Sequence, residues 1–217
     1  MNRSGIILAE ARTFAREVLG GDSSGHDWQH TARVARTACE LAQREGADAF
    51  ICEFAAILHD VADEKLNPSK EAGLLKVESW LSEQRVEESI RLHVMAIIGN
   101  MSYSDGQSGT LPTLEGRIVQ DADRLDALGA VGIARTFAYS GWKGQLIFDP
   151  ELPPREKMSK EQYRHEKSTA INHFYEKLLK LKDLMNTEAA RELAEERHRY
   201  MEAFLAQFYR ELGLVRE

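Results

Sequence analysis

Three features of the sequence predict an all-α fold. Apolar residues recur at helical spacing through most of the 217 residues. No run alternates with the period of two that a half-buried strand requires, and the gaps between apolar segments are filled by glycine, serine and proline. The spacing predicts helices over 4–19, 27–45, 48–61, 69–84, 86–99, 113–139, 160–182 and 188–212. Asp48 is placed to cap the third of these, and Gly46 to stop the second. Ser69 caps the fourth without a full capping box, because Ala72 stands where a glutamate would complete it. In the last helix, Leu193, Arg197, Tyr200, Met201, Phe204, Phe208 and Leu212 form the expected core-facing stripe.

Three connections interrupt the pattern: GGDSSGH at 20–26, a polar loop at 100–112, and a long segment at 141–159 that holds three of the five prolines. Segments of that length often bind or cover ligands, though many are plain insertions. No internal repeat, low-complexity tract or interdomain linker appears, so a single domain over 1–217 is expected.

The composition is that of a globular protein, 43% hydrophobic and 29% charged, with a net charge of -7. Nucleic-acid backbones and anionic membrane surfaces reward clustered Lys and Arg, so neither is the expected partner. A small phosphorylated substrate fits that charge if a cation and a few local basic residues offset it. Cys39 and Cys52 lie in apolar helical patterns outside any CxxC arrangement, which points to buried thiols in a reducing compartment. The apolar stretch near Ile6 is too short for a signal peptide or a membrane span, and a cytoplasmic location is expected. The residues set no oligomeric state.

Chemistry enters where His and Asp fall on apolar helical faces. His30 shares a stripe with Val34, Thr37, Ala38 and Leu41. His59 follows Ile51, Ala55 and Leu58 on the buried side, with Asp60 beside it. Val119, Asp123, Asp126 and Ala130 fall on one face, and Asp121 on roughly the opposite one. Singly, each has an ordinary reading. A buried His is usually bonded to backbone, an HD dipeptide arises by chance, and Asp126 can pair with Arg124 or Arg135. Together, two imidazoles and two carboxylates on inward faces are most simply satisfied by one divalent cation.

The order His30, then His59 and Asp60, then Asp123 resembles the H…HD…D signature of the HD-domain metal-dependent phosphohydrolase superfamily. The strings GHDWQHTARVA, FAAILHDVADEK and IVQDADRLDALGAVGIARTF are similar to a subfamily of small bacterial HD hydrolases, over roughly residues 25–140. The stretch INHFYEKLLKL resembles that subfamily too. The resemblance implies a helical bundle with an HD core at about 25–140 and a C-terminal helical extension, about 160–213, packed on it. It also implies one divalent ion (Mn, Mg, Co, Ni, Fe or Zn) on His30, His59, Asp60 and Asp123. Within DADRLD the implied ligand is the Asp before the basic residue, Asp123 rather than Asp121 or Asp126.

Asp63 and Glu64 occupy places where related enzymes carry proton-transfer groups. Arg33 and Arg124 are candidates to neutralise phosphate, with a surface ion pair as the plain alternative for each. His93 lines the pocket or faces solvent, His26 caps the His30 helix or lines the pocket mouth, and Asp126 supports the ligands from behind. There are departures as well. Only His93 lies between the HD pair and Asp123, which favours a mononuclear site, and Met101 stands where some relatives carry a His. The implied activity is hydrolysis of a phosphate ester or anhydride. The leading substrate is a nucleotide, a nucleoside or deoxynucleoside triphosphate cleaved to release pyrophosphate or triphosphate. Monophosphate dephosphorylation and alarmone hydrolysis remain open. The alternative is a catalytically silent nucleotide-sensing HD protein, and a bundle with coincidental charges is the third reading.

Overall fold

The computed structural model describes residues 3–20, 27–101, 109–155 and 167–214, and the regular elements in those residues are all helical. The chain forms two compact units, Met1–Asp123 and Arg124–Glu217.

The first unit contains α1 (Arg3–Leu19), α2 (Trp28–Glu45), α3 (Ala49–Leu58), a 3-10 turn (His59–Ala62), α4 (Lys70–Glu83), α5 (Glu88–Asn100) and most of α6 (Leu114–Asp126). Asp48 caps α3 by accepting from the amides of Phe50 and Ile51 at 2.9 and 3.1 Å. Ser69 caps α4 through the amide of Ala72 at 3.2 Å, and Gly46 ends α2 at φ +70°. The cap of α2 is Asp27, whose Oδ1 accepts from the amide of His30 at 2.8 Å. The capping role expected of His26 is therefore taken by its neighbour, and His26 lies outside the described residues.

Helix α3 is apolar on nearly every side and buries Ile51, Cys52, Phe54, Ala55, Ala56, Ile57 and Leu58. A helix of that kind belongs at the centre of a unit. α1, α2 and α5 pack on it. Phe54 is fully buried and meets Trp80 edge-on at 6.3 Å, while Trp80 stacks on Phe14 at 5.0 Å. Burying each such side chain is worth roughly 1.5–3 kcal/mol.

The expected 48–61 helix runs only to Leu58, where the chain tightens into the 3-10 turn carrying His59 and Asp60. α4 packs directly against that turn. A Cβ at Gly73 would stand 2.4 Å from the carbonyl oxygen of Ala62, so only glycine lets the two backbones approach this closely.

The second unit holds α7 (Gly129–Trp142), α8 (Ala170–Glu176), a 3-10 segment (Leu178–Leu184) and α9 (Glu188–Glu211). The single helix expected over 113–139 is thus two. Leu128 is extended and Gly129 adopts φ +71°, which turns the chain between α6 and α7. A Cβ at Gly132 would lie 2.1 Å from the carbonyl oxygen of Ala127, so a second glycine is needed to close the bend. The helix expected over 160–182 is described only from residue 167, and there it is the short α8 followed by the 3-10 segment.

In α9 the buried line is Ala190, Ala194, His198, Met201, Leu205 and Tyr209. It is rotated from the expected stripe, leaving Tyr200 57% and Leu212 47% exposed. Alanines on the inner line allow α9 to sit close to α7, while Phe204 reaches sideways to Phe137 and Phe174 at 5.8 Å each.

The described part of the 141–159 segment is anchored. The carbonyls of Leu146 and Ile147 accept from the amides of Ala170 and Ile171 at 3.0 Å. Farther on, the Arg155 guanidinium forms a fork on the buried carboxylate of Glu176, with Nε to Oε1 and Nη2 to Oε2 both 2.8 Å. Burial pushes the Glu176 carboxyl upward, but these bonds outweigh it and hold it below its ordinary value. Among the described residues, no helix is long and apolar enough to cross a membrane.

Candidate metal centre

His30 stands in the first turn of α2, where the Asp27 cap fixes the helix start. His59 and Asp60 open the 3-10 turn, and Asp123 lies on α6. The four side chains converge. His30 Nε2 lies 3.4 Å from Asp60 Oδ2 and 3.3 Å from Asp123 Oδ1. His59 Nε2 lies 3.3 Å from Asp60 Oδ1 and 3.9 Å from Asp123 Oδ1. His30, His59 and Asp60 each offer one ligand atom, all within 4.8 Å of one another. Asp123 joins them from the more open side, with 41% of its side chain exposed against 2%, 6% and 7% for the other three.

The orientation of the His59 ring follows from its neighbours. Its Nδ1 lies 2.7 Å from the carbonyl oxygen of Ala56. A carbonyl can only accept, so Nδ1 carries a hydrogen, and Nε2 is the ring nitrogen turned toward the other polar groups. That buried Nε2 has no hydrogen-bond partner and faces the oxygens of two carboxylates. A buried nitrogen without a hydrogen-bond partner, set among carboxylates, calls for a partner of its own. A divalent cation satisfies the arrangement, and two imidazole nitrogens with two carboxylates form a donor set that such ions accept. The bond to Ala56 also fixes ring orientation in the way a metal-ligating His requires.

Partial enclosure pushes the Asp123 carboxyl upward. The hydrogen bond from His30 and the electrostatic influence of His59 and His30 outweigh that and hold it at about 2. Asp123 is thus ionised throughout the ordinary pH range.

The other expected residues are placed as follows. Asp63 ends the 3-10 turn half-buried, and its Oδ1 accepts from the amide of Lys65 at 2.7 Å. Glu64 is exposed and Arg33 half-buried. His93 Nε2 lies 3.2 Å from Thr113 Oγ1 and 3.7 Å from Glu115 Oε2, on the α5 side of the first unit. Arg124 is buried, and its Nη1 donates to the carbonyl of Leu184. Asp126 Oδ2 accepts from Arg135 at 2.6 Å, one of the two pairings open to it from the sequence.

Two participants escaped sequence reasoning: the Asp27 cap, legible as an Asp just before an amphipathic helix, and Asn67. Asn67 is buried, and its Nδ2 donates to the carbonyls of Val61 and Asp63 at 2.9 and 2.8 Å. An Asn followed by Pro signals a turn, but nothing in the string shows which carbonyls it serves.

Comparison with known proteins agrees with this geometry. The HD domain family matches residues 27–128. An uncharacterized Bacillus subtilis protein, YpgQ, is 42% identical over 205 residues, spanning 94% of this chain and 92% of its own. A crystal structure of an HD-superfamily hydrolase from Bacillus thuringiensis is 52% identical with TM-score 0.79, covering 97% of this chain and 98% of that one. A Lactobacillus plantarum structure reaches TM-score 0.81 at 45% identity, covering 95% and 96% of the two chains. The structure of B. subtilis YpgQ in complex with ADP has TM-score 0.78 at 37% identity, covering 97% of each chain. With the H…HD…D groups gathered on their helices and relatives that match nearly end to end, the chain belongs to the HD-domain family.

Proposed function

We propose that this protein is a metal-dependent phosphohydrolase acting on a nucleotide, with a nucleoside or deoxynucleoside triphosphate as the leading substrate. The observation that carries the reading is the buried Nε2 of His59, without a hydrogen-bond partner among the carboxylates of Asp60 and Asp123. Support for a nucleotide comes from the YpgQ structure, described as a complex with ADP, and support for hydrolysis from the B. thuringiensis relative described as a hydrolase.

His30, His59, Asp60 and Asp123 would hold the ion. When bound, a divalent cation supplies Lewis acidity toward a phosphoryl oxygen and toward water. The protein's own residues do the rest. The Ala56 carbonyl keeps the proton on His59 Nδ1, so the ring cannot turn its hydrogen toward the site. Asp123 stays ionised and adds negative charge to hold the ion. Asp63 is the group to take the proton of the attacking water. Its Oδ1 is engaged by the Lys65 amide, so Oδ2 is the oxygen left for that role, with Glu64 next to it as the exposed alternative. Arg33, Arg124, His93 and His26 are the candidates to meet substrate phosphate, and Asp126, paired with Arg135, is the candidate to brace the end of α6.

The experiment is a nucleotide panel on metal-free protein resupplied with Mn²⁺, Mg²⁺, Co²⁺ or Ni²⁺ in turn, with phosphate, pyrophosphate and triphosphate release measured. Metal-dependent turnover that falls about 10²–10⁴-fold in Asp63→Ala, with the ion still bound, is the expected result. Nucleotide binding without turnover under every metal would replace the enzyme by a nucleotide sensor. Loss of the ion from Asp63→Ala would make Asp63 a ligand instead.

A further inference from the structure

The 3-10 turn that presents His59 and Asp60 ends abruptly. At Asp63 the chain leaves helical geometry for φ −62°, ψ 136°. Carbonyls at the end of a helical turn lose the donors that a continuing helix would supply. Val61 is one of them, and its carbonyl is reached by a side chain instead. Asn67 Nδ2 donates to Val61 O at 2.9 Å and also to Asp63 O at 2.8 Å. Asp63 O accepts in addition from the amide of Leu66 at 3.1 Å. One buried nitrogen therefore ties the peptide unit that follows Val61 to the one that follows Asp63, and the residues between them are Ala62 and Asp63. On the far side, α4 presses Gly73 against the carbonyl of Ala62. Behind, the amide of Asp63 donates to Asp60 O at 3.1 Å.

We infer that Asn67 is a positioning residue whose carboxamide fixes the Asp63 backbone relative to the His59–Asp60 turn and so sets where the Asp63 carboxylate stands. The inference rests on the reading of Asp63 as the proton-transfer group. Glu64 and Lys65, the next residues of the loop, are exposed, whereas Asn67 is buried. Its side chain is a buried link that returns the loop to the turn. Two donors on one nitrogen are what the two carbonyls need. An aspartate of the same shape presents only oxygens to them and repels both.

The test compares Asn67→Asp and Asn67→Ala with the intact protein, alone and combined with Asp63→Ala. The expected result is a fall in kcat on the order of 10-fold or more with KM unchanged, because a misplaced catalytic group costs rate rather than binding. Ion stoichiometry should be unchanged. In the Asp63→Ala background the Asn67 substitutions should have no further effect. Hydrogen exchange of the Lys65 and Leu66 amides, which are held by Asp63 Oδ1 and Asp63 O, should accelerate while that of α3 stays the same. Should Asn67→Asp, which buries a carboxylate against two carbonyls, fail to fold, Asn67→Ala carries every arm.

Equal rate losses with and without Asp63, loss of the ion, or unchanged exchange at Lys65 and Leu66 would overturn the inference. If the intact protein hydrolyses no phosphate compound, the hydrolase reading falls on its own. The exchange measurement still decides whether Asn67 holds Asp63.

Discussion

Asp60→Ala is expected to abolish metal-dependent turnover, with a loss on the order of 10³-fold or more, beyond the 10–100-fold typical of groups that only support a ligand. Asp60 is 5% exposed, and its two oxygens face different histidines, Oδ1 toward His59 and Oδ2 toward His30. Removing it takes away the one carboxylate that, among the described residues, is buried with both imidazoles. The remaining carboxylate, Asp123, lies on the open side with 41% of its side chain exposed. Ion content after dialysis and turnover should fall together. If ion content fell while turnover persisted, the cluster would not be where the chemistry occurs.

The second large effect concerns stability. Phe54→Ala is expected to cost about 3–5 kcal/mol, since it deletes a fully buried ring and leaves a cavity that α3 cannot collapse into. The ring's edge contact with Trp80 and the Phe14–Trp80 stack behind it would lose their common support. Thermal unfolding followed by circular dichroism should show a midpoint lowered by on the order of 10 °C. A change within a degree or two would mean that α3 is not the centre of the first unit. Leu75, which is 65% exposed on α4, provides the control: Leu75→Ala should be nearly neutral.

The two predictions draw on features that differ in how openly the sequence displays them. The clustered His and Asp residues were legible because each is a polar residue on an apolar face. His30 in line with Val34 and Leu41, and His59 in line with Ile51 and Leu58, have no reason to face inward without a partner. The caps at Asp48 and Ser69 were legible because capping is local, set within three residues.

What escaped depends on contacts between distant parts of the chain or on small shifts of phase. The break between α6 and α7 turns on Gly129 and Gly132, two glycines that lie inside an otherwise unbroken helical pattern. The α9 stripe was misphased because alanines, weak apolar signals, make up the inner line, whereas the bulky Tyr200 and Leu212 face outward. Asn67 was missed because its importance lies in two backbone carbonyls, which have no letter in a sequence. That the Arg124 guanidinium donates to the carbonyl of Leu184 is likewise a contact that only the fold shows.

Isothermal titration of Mn²⁺ into chelator-stripped protein tests the metal centre most directly. Saturable uptake of one ion per chain is expected, strongly weakened in His59→Ala and in Asp123→Ala. No uptake by the intact chain, or uptake that either substitution leaves unchanged, would contradict it.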